Sequence, residues 1–273
     1  MQEYSYHMHT NSFGIFDGHN TPEEMIKKAE ELGLKKIGIS NHMAFHPNMP
    51  NQSRMFFSDY NQARDLYKKV IDEIRTVSLN FKIDVKVGFE VDFFPSLQWC
   101  NLFEKMREDI KADYYIGATH YLRNQTEDFI MNLYYLQRNP QISINKNDIT
   151  VYLNIYWDNI IESIKSGYFN FIAHLDVCKL FGYCNGSEWD DRKMETIEAL
   201  AKYKQPYELN TSGWTKIGEQ HPYEWMIEEL NKKNVPVIIS DDAHYVDAIA
   251  QHFDEAESLL KKHNYINRYI PLF

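Results

Sequence analysis

YSYHMH, residues 4–9, and VPVIISDDAH, residues 235–244, stand near opposite ends of the chain and share one design: a strand-like run that delivers paired metal-ligating side chains. A strand has a side-chain period of two, so His7 and His9 project from one face about 7 Å apart, close enough to grip one ion. Asp242 and His244 repeat that spacing. Two such pairs at the two ends predict a chain that closes on itself and gathers its ligands at one rim.

Working inward, short apolar runs alternate with longer amphipathic stretches, the mark of βα units around a parallel sheet. Thr21-Pro22-Glu23-Glu24 opens a helix, with Thr21 as N-cap, Pro22 at the first position and Glu24 completing a capping box. Met25, Ala29 and Leu32 form its apolar face and Gly33 ends it. Further strands are expected over residues 36–40, 83–91, 114–119, 169–173, 207–210 and 235–240, with a helix over about 58–79. The expected fold is therefore an α/β barrel, with reactive residues at the C-terminal ends of its strands. His42, Glu90, His120, His174 and Asp242 fall at or just past such ends. Residues 124–148, rich in Asn, Gln and aromatics, read as an insertion over that face: a lid, a subunit contact or a plain surface loop.

The bulk numbers agree with one barrel domain over residues 1–273, with 44% apolar residues for a core. No apolar run reaches the ~18 residues of a membrane span. The first residues lack the basic and apolar regions of a signal peptide. Cys100, Cys178 and Cys184 are isolated and odd in number, which suits reduced thiols and a cytoplasmic location. The net charge of −10 argues against nucleic acid as a partner. A small phosphorylated partner remains compatible, because metal ions supply positive charge locally. Oligomeric state is left open.

Of the 11 histidines, His46, His221, His252 and His263 read as surface or core residues. His7, His9, His42, His120, His174 and His244 stand either in HxH-type spacing or at a strand end beside a carboxylate. Glu90 interrupts the apolar run Val87-Gly88-Phe89-Glu90-Val91. A buried carboxylate needs a partner, either a salt bridge or two metal ions that it spans. Asp17, in Phe16-Asp17-Gly18-His19, is a turn residue or a ligand, with His19 as its competitor.

Taken in order, HMHT (7–10), DG (17–18), TPEEMIKKAEELGLKKIGISNH (21–42), GFEVDF (88–93), GATHYL (117–122), AHLD (173–176), ELNTSG (208–213) and SDDAH (240–244) resemble the polymerase-and-histidinol-phosphatase (PHP) superfamily over nearly the whole chain. GATHYL and ELNTSG are similar to its stand-alone histidinol-phosphatases. The resemblance implies a distorted (β/α)₇ TIM-like barrel with a trinuclear metal centre at the C-terminal rim. It assigns His7, His9, Glu90 and Asp242 to one metal. Glu90, His120 and His174 go to a second, and Asp17, His42 and His244 to a third, members of the family using either His or Asp at the position of Asp17. Trp214-Thr215-Lys216 follows ELNTSG where many members carry a basic pair, so Lys216 is the cation retained there.

The implied activity is hydrolysis of a phosphomonoester, first of all L-histidinol phosphate to L-histidinol and phosphate in histidine biosynthesis, by attack of a metal-held hydroxide. Alternatives are another PHP-type substrate (a different phosphomonoester, a phosphotyrosine protein, a nucleic-acid 3′ end) or a non-catalytic metal-binding module. Two to three divalent ions are expected, and a mixed His and carboxylate set suits Zn²⁺, Mn²⁺ or Fe²⁺. Glu90, His120 and Asp242 are the candidate catalytic residues, with Asp242 or a metal-bound water as acid for the leaving group. Arg123 and Lys216 are candidate phosphate contacts, aided by Asn210 and Ser212. Glu208, Asp92 and Trp214 are candidates to face a substrate ammonium. No Cys-x₅-Arg loop or DxD motif is present, which argues against a covalent phospho-enzyme.

Overall fold

The computed structural model describes residues 2–48, 54–123, 130–133, 136 and 146–273, with the backbone alone for 123, 130, 131 and 146–148. Seven strands form the barrel wall: β1 (Tyr4–Ser5), β2 (Lys36–Ile39), β5 (Asp84–Asp92), β6 (Tyr114–Ala118), β9 (Phe171–Ile172), β10 (Tyr207–Asn210) and β11 (Val237–Ser240), adjacent in that order. Every neighbouring pair is parallel. Past the ends of β1 and β11, Met8 bridges Ala243 in parallel. The His9 N–H donates to the Ala243 carbonyl at 2.8 Å and the Ala243 N–H to the His7 carbonyl at 3.3 Å. The two motifs that opened the sequence are thus stitched side by side, and the barrel is nearly closed.

The first strand is shorter than residues 4–9. Only Tyr4–Ser5 stays in a regular ladder with β2. Beyond it the backbone divides its hydrogen bonds: the Met8 carbonyl accepts from Ser40 N–H at 2.8 Å, while its neighbours pair with Ala243. Four strands are additional to those expected. β3 (His42–Phe45) continues from β2 after Asn41 and pairs with β5, setting His42 opposite Glu90, and β4 (Phe56–Phe57) pairs with β3. Of the insertion expected at 124–148, Ile130–Asn132 forms β8, antiparallel to β7 (Tyr121–Arg123), and a helix begins at Lys146. Apart from Leu133 and Leu136, the rest of that segment lies outside the described residues.

Helices cover the outside of the barrel. α1 (Pro22–Glu31) has the expected capping box, Thr21 Oγ1 accepting from Glu24 N–H and Glu24 Oε2 from Thr21 N–H, each such cap contributing about 1 kcal/mol. Asp59 caps α2 (Tyr60–Ser78), and Ser96 caps α3 (Leu97–Ile110). Their apolar faces, with Ala29, Val70, Ile74 and Phe103, are fully buried against the sheet. α4 (Lys146–Ser166), α5 (Asp190–Tyr203), α7 (Glu224–Lys232) and α8 (Phe253–Lys262) continue around the barrel, with short α6 (Ser212–Ile217) beside the rim. His252 and His263 flank α8 rather than sitting within it.

Inside the barrel, Tyr114 fills the space left by two glycines. A Cβ on Gly38 would stand 2.2 Å from its hydroxyl, and one on Gly88 2.4 Å from its ring. The Tyr114 hydroxyl donates to the Tyr6 carbonyl at 2.8 Å. Tyr6, Ile116, Phe171 and Ile238 pack with it, and Phe273 stacks on its ring at 4.7 Å. The opposite end, where the strands finish, is polar.

Candidate metal centre

Each candidate ligand reaches the rim from the end of a strand or the turn after it. His7 and His9 come from the extension of β1, His42 opens β3, and Glu90 lies in β5. His120 follows β6, His174 follows β9, and Asp242 and His244 follow β11. Asp17 is carried by the loop after β1. Gly18 lets that loop lie against the rim, because a Cβ there would stand 2.4 Å from the Thr10 backbone. Asp242 turns inward with φ of 49°, a left-handed conformation uncommon for a non-glycine residue.

Glu90, 1% exposed, is the centre of the cluster. Its Oε1 lies 2.8 Å from His174 Nε2, 3.4 Å from His7 Nε2 and 3.6 Å from His120 Nε2. Its Oε2 lies 3.0 Å from His42 Nδ1 and 3.6 Å from His9 Nε2. Asp242 Oδ1 is 3.3 Å from His9 Nε2 and 3.7 Å from His7 Nε2. Asp17 Oδ2 is 3.2 Å from His42 Nε2 and 3.5 Å from His244 Nε2. The donors overlap in four groups: His9, Asp17, His42 and His244; His7, Glu90 and His174; His7, His9 and Asp242; His42, Glu90 and His120.

These side chains fit divalent ions on two grounds. His7 Nε2, both His9 ring nitrogens, Asp17 Oδ1 and Glu90 Oε2 are buried and make no hydrogen bond, although buried polar atoms are nearly always satisfied. In addition, two ligands each about 2.0–2.1 Å from a tetrahedral ion stand roughly 3.3 Å apart. Many of the separations above are close to that value, and several are too long for hydrogen bonds.

Electrostatics supports the same reading. Burial would raise the Glu90 carboxyl, but His120, His7 and His42 outweigh it and hold it well below the carboxylate range. Burial likewise opposes ionisation of Asp242, yet Lys216 and His244 hold it well below its ordinary value. Burial disfavours charge on His7, but Glu208 and Glu90 push it well above the usual imidazole range. His9 goes the other way, to about 3, through burial and the facing His244. Anionic carboxylates held in a largely buried basin need cationic partners. Divalent ions can fill that role while the imidazoles stay neutral, the form in which they ligate.

Behind the ligands stands a layer of carboxylates. Glu208, fully buried, accepts from His7 Nδ1 at 2.6 Å through Oε1, and from His174 N–H at 2.9 Å and Asn210 Nδ2 at 3.0 Å through Oε2. Asp92 Oδ1 accepts from the N–H groups of His120 and Tyr121, and its Oδ2 lies 3.3 Å from His120 Nδ1. Both are committed to orienting imidazoles, so neither is placed to face a substrate ammonium. The sequence held a usable signal for them: a ligating histidine fixes its second nitrogen on a carboxylate or carbonyl, so an acid on a neighbouring strand end is expected. Asp241, pushed up to about 7 by burial, faces away, accepting from Ser5 Oγ and Ala250 N–H and tying the two chain ends together.

A cavity of 360 Å³ opens over the cluster, lined by Asp17, His42, Glu90, His120, His174, Asp242 and His244 and by Lys216. Lys216 Nζ is 3.1 Å from Asp242 Oδ2. Asn210 and Ser212 do not join this lining. They are buried, with Asn210 Oδ1 accepting from Ser212 N–H and Oγ, and Ser212 Oγ lying 3.3 Å from Asp242 Oδ2. Their polar atoms meet Glu208 and Asp242. The backbone of Arg123 ends β7; its side chain lies outside the described residues. Asp17, rather than His19, joins the cluster; the His19 ring stands 6.1 Å from that of Tyr245. His221 bonds Asp176 and His263 bonds Glu224, away from the cluster.

Residues 5–212 match the PHP domain family. The chain belongs to that family. Among its PHP relatives, the "Probable histidinol-phosphatase" of Deinococcus radiodurans is 26% identical over 255 residues, 92% of this chain and 89% of that protein. The "Histidinol-phosphatase" of Bacillus subtilis is 22% identical, covering 89% and 94%. The crystal structure of histidinol phosphate phosphatase from Lactococcus lactis, complexed with Zn, L-histidinol and phosphate, superposes with a TM-score of 0.70 at 18% identity, over 98% of this chain and 95% of that one. That likeness shows the shared PHP fold. No helix among the described residues is long and apolar enough to cross a membrane.

Proposed function

We propose that the protein is a metal-dependent phosphomonoesterase that hydrolyses L-histidinol phosphate to L-histidinol and phosphate. The observation that carries this reading is the convergence of eight His and Asp side chains around Glu90, with orphaned ligand atoms, beneath a cavity that also holds a lysine. The three relatives named as histidinol-phosphatases support the substrate. The cavity's 360 Å³ is at the small end of ligand pockets, which favours a small molecule over a phosphoprotein or a nucleic-acid end.

Two to three divalent ions, Zn²⁺, Mn²⁺ or Fe²⁺, would be held by His7, His9, Asp17, His42, Glu90, His120, His174, Asp242 and His244. Bound there, they supply Lewis-acid stabilisation of phosphoryl charge and activation of water. Glu90 joins neighbouring ligand groups and fixes their spacing. Asp92 sets the His120 ring, and Glu208 sets His7. Lys216 takes a phosphoryl oxygen from the side of Asp242, with Arg123 as a second phosphate contact. Asp242, which reaches the cavity as an anion, would take a proton from the attacking water and pass it to the leaving alcohol oxygen. We read the chain as one barrel domain, working in the cytoplasm, with no nucleic-acid or membrane partner.

The test is steady-state kinetics on L-histidinol phosphate and a phosphomonoester panel with Mn²⁺ or Zn²⁺ added, run beside metal analysis. The expected result is a preference for L-histidinol phosphate of at least about tenfold in kcat/KM, with two or more ions per chain. Metal-loaded protein that releases no phosphate from any member of the panel would overturn the reading. Stronger activity on another ester would move the substrate and keep the chemistry.

A further inference from the structure

Lys216 is carried by a loop whose two legs are fixed in different ways. The loop leaves the barrel wall at Asn210, the last residue of β10, turns through α6 and returns at His221. Two backbone bonds close its neck: Asn210 N–H donates to the His221 carbonyl at 2.8 Å, and His221 N–H to the Asn210 carbonyl at 3.1 Å. α6 rests directly on the returning leg, since a Cβ on Gly213 would stand 2.3 Å from the Glu219 carbonyl oxygen and 3.0 Å from His221 Cδ2. One leg is thus part of the wall, and the other is held by side chains.

Those side chains stand outside the ligand set. His221 meets Asp176 Oδ1 through Nδ1 at 2.7 Å, the carboxylate accepting. Asp176 Oδ2 accepts from Tyr223 N–H at 2.8 Å and pairs with Lys179 Nζ at 3.1 Å. Lys179 in turn donates to the Gln220 carbonyl and lies over the Tyr223 ring, 4.0 Å from its centroid. Asp176, Lys179 and His221 are all buried. Asp176 stands two residues after His174, and Lys179 lies in the 3₁₀ helix Val177–Phe181. A buried ion pair is weak evidence for stability, but a network of hydrogen bonds around it is satisfied only when its members keep one arrangement.

We propose that Asp176, Lys179 and His221 form a clasp that positions Lys216 over the rim, by tying the returning leg of its loop to the segment that follows His174. They are positioning residues: among the described residues, none of the three joins a ligand group or lines the cavity. The proposal rests on the phosphatase reading for the role of Lys216 as a phosphate contact. Binding tests it separately from turnover, with inorganic phosphate titrated calorimetrically into Mn²⁺-supplemented protein. Metal content is measured on every variant, because the His221 ring also stands edge-on to that of His174, with centroids 6.5 Å apart. Asp176→Asn would leave the buried Lys179 uncompensated and endanger the fold, so His221 carries the test. His221→Leu and His221→Gln both remove the Nδ1 donor, one apolar and one polar, and one folded protein of the two suffices. His221→Asn offers an amide N–H at about the same place.

Wild type should bind phosphate, and the donor-less variants should weaken it about five- to tenfold with metal content unchanged, a coupling of the size that neighbouring residues show. His221→Asn should recover most of that loss. In a Lys216→Ala background the same His221 changes should cost nothing further, because the clasp acts through that ammonium. A merely structural role would weaken phosphate equally in both backgrounds. Equal weakening in both, metal lost along with phosphate affinity, phosphate affinity unchanged, or no phosphate binding by wild type would each overturn the clasp. A wild type that binds phosphate and shows the coupling, yet hydrolyses no ester, would leave the clasp standing and remove the phosphatase reading.

Discussion

The two ends of the barrel solve opposite problems with the same strands. At the closed end, Tyr6, Tyr114, Phe171, Ile238 and Phe273 fill the interior, and the Tyr114 hydroxyl is satisfied by a backbone carbonyl. At the rim, His7, His9, Asp17 and Glu90 keep buried polar atoms without hydrogen bonds. The chain passes from one regime to the other within a few residues, for Tyr6 packs below and the His7 ring joins the cluster above. Such a rim is unfavourable to fold unless something completes it, whereas the closed end is complete as it stands. Stability and chemistry should therefore separate along the barrel axis, and substitutions at each end can break that division.

The largest effect is expected at Glu90. Glu90→Gln keeps the shape but removes the charge that faces His7, His9, His42, His120 and His174. Phosphatase activity should fall by about a thousandfold or more, a loss of roughly 4 kcal/mol or more in transition-state stabilisation. Metal analysis should show ions lost together rather than singly, because Glu90 belongs to two of the ligand groups. Full metal content with full activity would remove Glu90 from the centre of the site.

Tyr114→Ala attacks the other end. It empties the interior between Gly38 and Gly88 and strands the Tyr6 carbonyl. Large aromatic-to-alanine changes in cores cost about 3–5 kcal/mol, so denaturant or thermal melts should show a large loss of stability. Molecules that remain folded should keep their metal stoichiometry and KM. If KM rises in step with the loss of stability, the two ends are not separable.

Glu208→Gln probes the layer between. The amide can still accept from His7 through its oxygen, but its NH₂ then faces two donors, the His174 N–H and the Asn210 amide. Loss of such an outer carboxylate typically costs 10–100-fold in metal affinity or activity. The readout is a metal titration of apo protein beside kcat. Unchanged metal affinity would reduce Glu208 to an ordinary core hydrogen-bonding group.

The wall strands and the candidate ligands are legible because both are written in local pattern. Period-two histidines, apolar runs and the Thr21–Glu24 box state their geometry within a few residues. β10 falls at 207–210, as expected. β3 escaped because Asn41 gives little sign that strand geometry resumes at His42, and its partner in β5 lies far along the chain. The supporting layer is hard to place from sequence for a related reason. Asn210 and Ser212 are small polar residues beside a strand end, and sequence alone does not say whether they face the cavity or the carboxylates behind it. Burial decides that, and burial belongs to the closed barrel.

The smallest effect expected is at Lys216, where the comparison becomes finest because this residue is at the rim but outside the ligand set. Its ammonium lies 3.1 Å from Asp242 Oδ2 and lines the cavity, on the short helix α6. It can act in two ways: by neutralising Asp242 or by meeting a phosphoryl oxygen. The pair is partly open to solvent, so as a structural salt bridge it is worth about 0–1 kcal/mol. Lys216→Ala should therefore leave the melting temperature nearly unchanged. A contact made with the phosphoryl group in both ground and transition states is uniform binding, so its loss should raise KM about tenfold with little change in kcat. Lys216→Arg should recover part of that loss, since it keeps the charge. If kcat falls instead and metal content drops with it, Lys216 acts through Asp242 and belongs to the layer that positions ligands. Should kcat, KM and metal content all stay at wild-type values, phosphate recognition is carried by the metal floor and Arg123, and the rim has one functional residue fewer.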